Sequence, residues 1–127
     1  MRVNSLHPTS SSLANLNRFY RQKLIKHGIF QNEHEIRVKT TTLDSLKFEA
    51  LERPILMKLD IEGREIEALK GGRTLLSHTE MLIAELSVAE RFEGAPSCGE
   101  FLAFMEACGF ALFDVVDLAQ LAPTVPW

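Results

Sequence analysis

Carboxylates crowd the run Asp60-Ile61-Glu62-Gly63-Arg64-Glu65, which follows the apolar stretch Ile55-Leu56-Met57-Lys58-Leu59. On an extended backbone, residues two apart project to the same side, so Asp60 and Glu62 can face one space. Glu85 closes a second apolar stretch, Met81-Leu82-Ile83-Ala84, and can join them. Such a cluster could hold a divalent cation through oxygen ligands, or raise one member's pKa until it works as a general base. A structural role competes with both. Acids at the start of a helix, Glu65 included, interact favourably with its N-terminal dipole and need no chemistry to account for them. Residue type and position leave the two roles open.

Other chemistries find less support. Neither G-x-G-x-x-G nor G-x-x-x-x-G-K-S/T occurs, and Gly71-Gly72 follows a helical pattern instead of a strand. There is no G-x-S-x-G, and no histidine is spaced to serve a nucleophile. His7, His27, His34 and His78 are scattered and form no ligand pair, so no metal site is expected. A magnesium site in a small hydrolase, built on the acids alone, is the weaker third reading. Cys98 and Cys108 fall on one predicted helix about 15 Å apart, beyond disulfide reach, and are expected to pack as buried thiols.

The elements that must position the acids follow from the period of the apolar residues. Ile55 to Asp60 predicts a buried strand, and the change of period at Gly63 predicts a sharp turn into a helix that presents Ile66 and Leu69 to the core. Gly71-Gly72 interrupts that helix before Leu75 and Leu76. Met81 to Leu86 predicts a second strand, making a right-handed βαβ unit. Both strands are nearly continuous apolar sequence, which suggests burial on both faces of a parallel sheet. Ligands of such sheets bind beyond the carboxyl ends of the strands, where these acids would lie.

Around that unit, Leu13, Leu16, Tyr20 and Leu24 predict a helix stopped by Gly28, with Arg18, Arg21, Lys23 and Lys26 on its other side. That basic side could touch a phosphate, but a solvated helix face is the simpler reading. His34 to Thr40 alternates as a half-buried strand. Thr42 can cap a short helix carrying Leu43, Leu46, Ala50 and Leu51. Ser97-Cys98-Gly99-Glu100 fits a capping box, and opens a helix burying Phe101, Met105 and Cys108 and ended by Gly109. Phe110 to Val116 predicts a third apolar strand.

With 127 residues and 46% hydrophobic residues, the chain is a single α/β domain: a polar lead-in over 1–12, a folded part over 13–117 and a tail over 118–127. A net charge of −3 implies no bulk attraction to nucleic acid or membrane. No apolar run approaches the roughly 18 residues of a spanning helix, and the first residues lack a signal-peptide pattern, so cytoplasmic residence is expected.

Two stretches carry a resemblance. Thr42-Leu43-Asp44-Ser45-Leu46 and Met57-Lys58-Leu59-Asp60-Ile61-Glu62-Gly63-Arg64-Glu65-Ile66-Glu67-Ala68-Leu69-Lys70-Gly71-Gly72 resemble the signature of FkbM-type methyltransferases, T-L-D-x-L followed by K-x-D-x-E-G-x-E-x-x-x-L-x-G. Ile83-Ala84-Glu85 is similar to the family's next strand, Gly109-Phe110 to its later G-F, and Ser10-Ser11-Ser12 to an upstream serine-rich loop. The likeness covers about residues 10 to 117. It implies a Rossmann-like class I fold and S-adenosylmethionine-dependent methylation of a hydroxyl on a sugar or natural product. Asp60, with Glu62 and Glu85, would then be catalytic, and Ser11 and Ser12 would lie in a substrate-side loop. The family's glycine-rich cofactor loop lies in its N-terminal half, so the resemblance implies that only the C-terminal half is present, that the partial sheet exposes an edge, and that the chain is inactive alone. The alternative is a non-catalytic remnant that pairs through that edge with itself or another chain.

Overall fold

The computed structural model describes residues 1–4, 13–26, 33–46, 48 and 51–117. In chain order the elements are β1 (Arg2–Asn4), α1 (Arg18–Lys26), β2 (Glu33–Glu35), a 3₁₀ turn (Leu43–Leu46), β3 (Ile55–Leu59), α2 (Glu65–Lys70), α3 (Arg73–Leu76), β4 (Thr79–Ala84) and α4 (Cys98–Ala107). β3 and β4 run parallel, with Met57 opposite Leu82 and Leu59 opposite Ala84. The helices α2 and α3 make the crossover between them. β1 and β2 form a separate antiparallel pair.

One core lies against the β3–β4 pair. Met57 and Leu59 from β3, with Leu82 and Ala84 from β4, meet Ile66 and Leu69 of α2, Leu76 of α3 and Phe101 and Met105 of α4. Leu69 is completely buried. These strand residues are two apart and share one face, as the pleat requires. The other face is exposed: Leu56 is 57% accessible, Met81 53% and Ile83 44%. The expectation of strands buried on both faces is therefore corrected. Among the described residues, every helix joining this core packs on the Met57–Leu59 side, and continuous apolar sequence alone does not reveal which faces are covered.

A second, smaller core joins Ala14, Leu16 and Phe92, with Tyr20, Leu24 and Ala95 against it. Here the expected helix starts late. Leu16 is drawn into a bridge with Phe92, and the Asn17 side chain accepts from the Phe19 amide at 2.9 Å, capping α1 at its N-terminus. Gly28, the expected stop, lies outside the described residues. Within the polar lead-in, Arg2–Asn4 pairs with Glu33–Glu35. The strand expected over His34 to Thr40 ends at Glu35, and Ile36 and Val38 are exposed. The segment at Thr42 is a single 3₁₀ turn with Leu46 and Leu51 exposed, so it does not bury the expected apolar side.

The capping box forms as predicted: Glu100 N–H donates to Ser97 Oγ at 3.2 Å, and Ser97 N–H donates to Glu100 Oε2 at 2.8 Å. Gly109, at φ +90°, ends α4, and the Phe110 amide reaches back to the Met105 carbonyl at 3.0 Å. Cys108 lies beyond the last helical residue and is exposed, which corrects its assignment as a buried thiol. Phe110 to Val116 is not a strand: it pairs with no strand among the described residues, and Phe113 is 97% accessible. Apolar composition gave it strand character, but a strand also needs a neighbour's ladder. Among the described residues no helix is long and apolar enough to cross a membrane.

Candidate active site

The parallel register carries two acids to one edge. The Glu85 amide donates to the Leu59 carbonyl at 2.9 Å, continuing the β3–β4 ladder by one step, so Asp60 and Glu85 leave their strands side by side. The chain then turns abruptly. Glu62 has φ +56° and Gly63 φ +95°, two left-handed residues in succession. For glutamate that conformation is costly and must be held by its surroundings. Glu65 helps to hold it: this side chain belongs to a residue only 3% accessible and accepts from the Gly63 amide at 3.0 Å. Gly63 itself lies against the next loop, because a β-carbon there would stand 3.0 Å from the β-carbons of both Phe92 and Ala95.

Asp60 and Glu62 do not share a side through an extended backbone, as their spacing suggested, since Glu62 is left-handed. The grouping does hold electrostatically. Burial pushes the Glu62 carboxyl above its ordinary value of 4.5; Arg91 opposes that shift, while the negative charges of Asp60, Glu85 and Glu65 add to it. Asp60 is more open and accepts from Lys58 Nζ at 3.2 Å. Both side chains of that pair are well exposed, so it contributes little to stability. The Arg91 guanidinium lies 3.9 Å from Glu62 Oε2. Ser11 and Ser12 lie outside the described residues. Among the described residues no three His, Cys, Asp or Glu side chains are arranged to hold a metal ion, which leaves the magnesium reading without a ligand set there. A surface groove of about 360 Å³ between α2 and Gly94–Pro96 includes none of the three candidate acids.

The T-L-D-x-L stretch has a role that spacing alone did not show. Asp44 receives the Thr74 amide at 3.1 Å and the Leu75 amide at 3.0 Å, capping α3 across a long stretch of sequence. Leu43 fills the space beside Gly72, where a β-carbon would meet it at 2.9 Å. The stretch is thus a structural bracket for the second half of the crossover. Arg91 carries no motif and could be found only from the fold.

A family model, the methyltransferase FkbM domain, matches residues 4–112. The chain belongs to the FkbM methyltransferase family. None of the curated proteins and none of the solved structures matches it. Membership in this FkbM family implies methyl transfer and a methyl donor such as S-adenosylmethionine. The chemistry of the strand-end residues indicates what they could hold. Ionised carboxylates only accept hydrogen bonds, so Asp60, Glu62 and Glu85 fit hydroxyls and cationic centres, such as an acceptor alcohol or the donor's ribose hydroxyls and sulfonium. Lys58 and Arg91, the cations paired at this edge, already face Asp60 and Glu62.

Proposed function

We propose that this FkbM domain serves S-adenosylmethionine-dependent methylation of a hydroxyl on a sugar or natural product, with the strand-end acids on the acceptor side. The observation that supports the reading is the convergence of Asp60, Glu62 and Glu85 at the carboxyl ends of two parallel strands, with one of the three held in a strained, half-buried conformation. When bound, S-adenosylmethionine supplies an electrophilic methyl group. Asp60, open and beside Lys58, accepts from a neighbouring hydroxyl of the acceptor and so orients the molecule. Glu62, whose pKa is raised, would take the proton of the hydroxyl that receives the methyl group, leaving the thioether of the donor as the other product. Positioning contributes most, because the transferred group needs no covalent help from the protein.

The test is transfer of label from radiolabelled S-adenosylmethionine to a panel of sugars and hydroxylated natural products, using the full chain and its Asp60→Asn and Glu62→Gln variants. The reading expects a labelled methyl ether from the wild type, a near-complete loss of label in Glu62→Gln and a loss in Asp60→Asn that raised acceptor concentration recovers. No label from the wild type is the outcome expected of a chain that is inactive alone. Label appearing equally in all three proteins would sink it.

A second reading, self-association with another copy of the chain, is favoured by the exposed sheet face and by Leu112, Phe113, Val115 and Val116, all more than half accessible. Apolar groups that stand together in water mark contact surfaces. Sedimentation of the wild type beside a Phe113→Asp variant tests it. A wild type that stays monomeric across the concentration range removes the reading.

A further inference from the structure

Arg91 is fixed from several directions at once. Its carbonyl accepts the Asn17 amide at 2.8 Å, and the Glu93 amide donates to the Asn15 carbonyl at 2.8 Å, so the backbone on both sides of Phe92 is laced to the segment before α1. Phe92 is 4% accessible and lies against Gly63. The Arg91 guanidinium stands 5.5 Å from the Phe92 ring centroid, a distance at which cation and ring attract. Its outer end reaches Glu62 at 3.9 Å. Among the described residues, charges bear on the Glu62 carboxylate from Arg91 in the loop after β4, Asp60 at the end of β3, Glu85 at the end of β4 and Glu65 in the first turn of α2. Of these, Arg91 brings the positive charge.

We infer that Arg91 is a positioning residue for Glu62, a counter-charge that holds this carboxylate at the strand-end turn inside a cluster of acids. The inference rests on the reading of Glu62 as the base. It adds a function for a residue outside the family signature, and it makes the contact between the segment before α1 and the loop after β4 part of the site. The mutual attraction is worth more here than on an open surface, since only 20% of the Glu62 side chain and 32% of the Arg91 side chain are accessible.

The full chain, with Arg91→Gln and Arg91→Lys variants, decides it. The lacing contacts are backbone bonds, so both variants keep them. Carbon-detected NMR follows the Glu62 carboxyl through a pH titration, assigned by its loss in Glu62→Gln. Removing the positive charge must raise the Glu62 midpoint in Arg91→Gln, and Arg91→Lys must bring it back toward the wild type. In the wild type, the Arg91 Nε resonance must titrate in step with Glu62, a measurement that does not depend on any Arg91 variant folding. An unmoved Glu62 midpoint in a folded Arg91→Gln protein, or an Arg91 Nε signal indifferent to Glu62, overturns the inference. Methyl-transfer rates separate this from the functional reading. If Glu62 is the base, the acid limb of the rate profile moves up with the NMR midpoint, and Arg91→Gln loses roughly two- to tenfold in rate below the limb with the plateau kept. A midpoint that moves while the rate profile stays still leaves Arg91 paired with Glu62 and refutes Glu62 as base.

Discussion

Leu43 stands so close to Gly72 that a β-carbon on the glycine would lie 2.9 Å from both the Cβ and the Cδ1 of the leucine. The Gly71 carbonyl accepts the Asp44 amide at 3.0 Å beside this contact. The two separate stretches of the family signature are therefore one structural unit. One supplies a leucine and an acid, and the other a glycine with no side chain to obstruct them.

Gly72→Ala follows from that contact. Gly72 has φ −133°, which any residue can adopt, so the cost is steric and not conformational. The nearest obstacle is a Cβ, not the far end of a flexible side chain, and relief needs backbone movement. Overpacking of this kind costs about 1–3 kcal/mol. Urea unfolding of Gly72→Ala against wild type measures it, and a midpoint equal to wild type would mean that the bracket yields freely.

Asp44→Ala removes the cap of α3. The amides of Thr74 and Leu75 hold the Asp44 carboxyl below its ordinary 3.8. A depressed folded-state pKa stabilises the fold at pH values above the unfolded one, and that stabilisation fades as pH falls through the folded value. Thermal melting should therefore show Asp44→Ala less stable than wild type at neutral pH, with the two curves converging in strong acid. A difference that persists unchanged into strong acid, well below pH 3.8, would assign the loss to packing instead.

The sequence shows the βαβ core well because its signals are local. The period change at Gly63, the pair Gly71-Gly72 and the capping box at Ser97 each act within one turn of chain, and each appears where expected. Non-local partners are harder to read. Phe110 to Val116 has strand composition, yet strand structure needs a neighbour that composition does not name. Leu16 has helical spacing, but a bridge to Phe92 takes it first. The site divides in the same way. Asp60, Glu62 and Glu85 were legible as acids at strand ends, whereas Glu62's left-handed backbone and its contact with Arg91 arise only when the loop after β4 folds onto the turn.

Leu69→Ala tests whether the helices hold the sheet from one side. Leu69 is fully buried between α2 and the strands, in contact with the cluster of Leu59, Leu76, Phe101 and Met105. Truncation should cost about 2–5 kcal/mol. The matching truncation on the open face, Met81→Ala, should cost well under half of that, because Met81 is 53% accessible. Chemical denaturation of the two variants gives the comparison. Equal losses would mean that something covers the open face in solution.

Glu62→Gln separates stability from chemistry. Burial and the neighbouring acids raise the folded-state pKa of Glu62 above 4.5. A raised acid favours the fold while it is protonated, below the unfolded pKa, and that advantage is lost as pH rises through the folded value. Near neutrality the ionised side chain is thus a burden that glutamine lacks, so Glu62→Gln should melt at or above the wild-type temperature at pH 7 and lose its advantage toward pH 4. If Glu62 is the base, the same variant should lose roughly 10²–10⁴-fold in methyl-transfer rate. Asp60→Asn should instead weaken acceptor binding with a smaller effect on turnover, since its role is to hold a neighbouring hydroxyl and orient the acceptor. A Glu62→Gln protein that is both less stable and fully active would show that the strained turn serves folding alone.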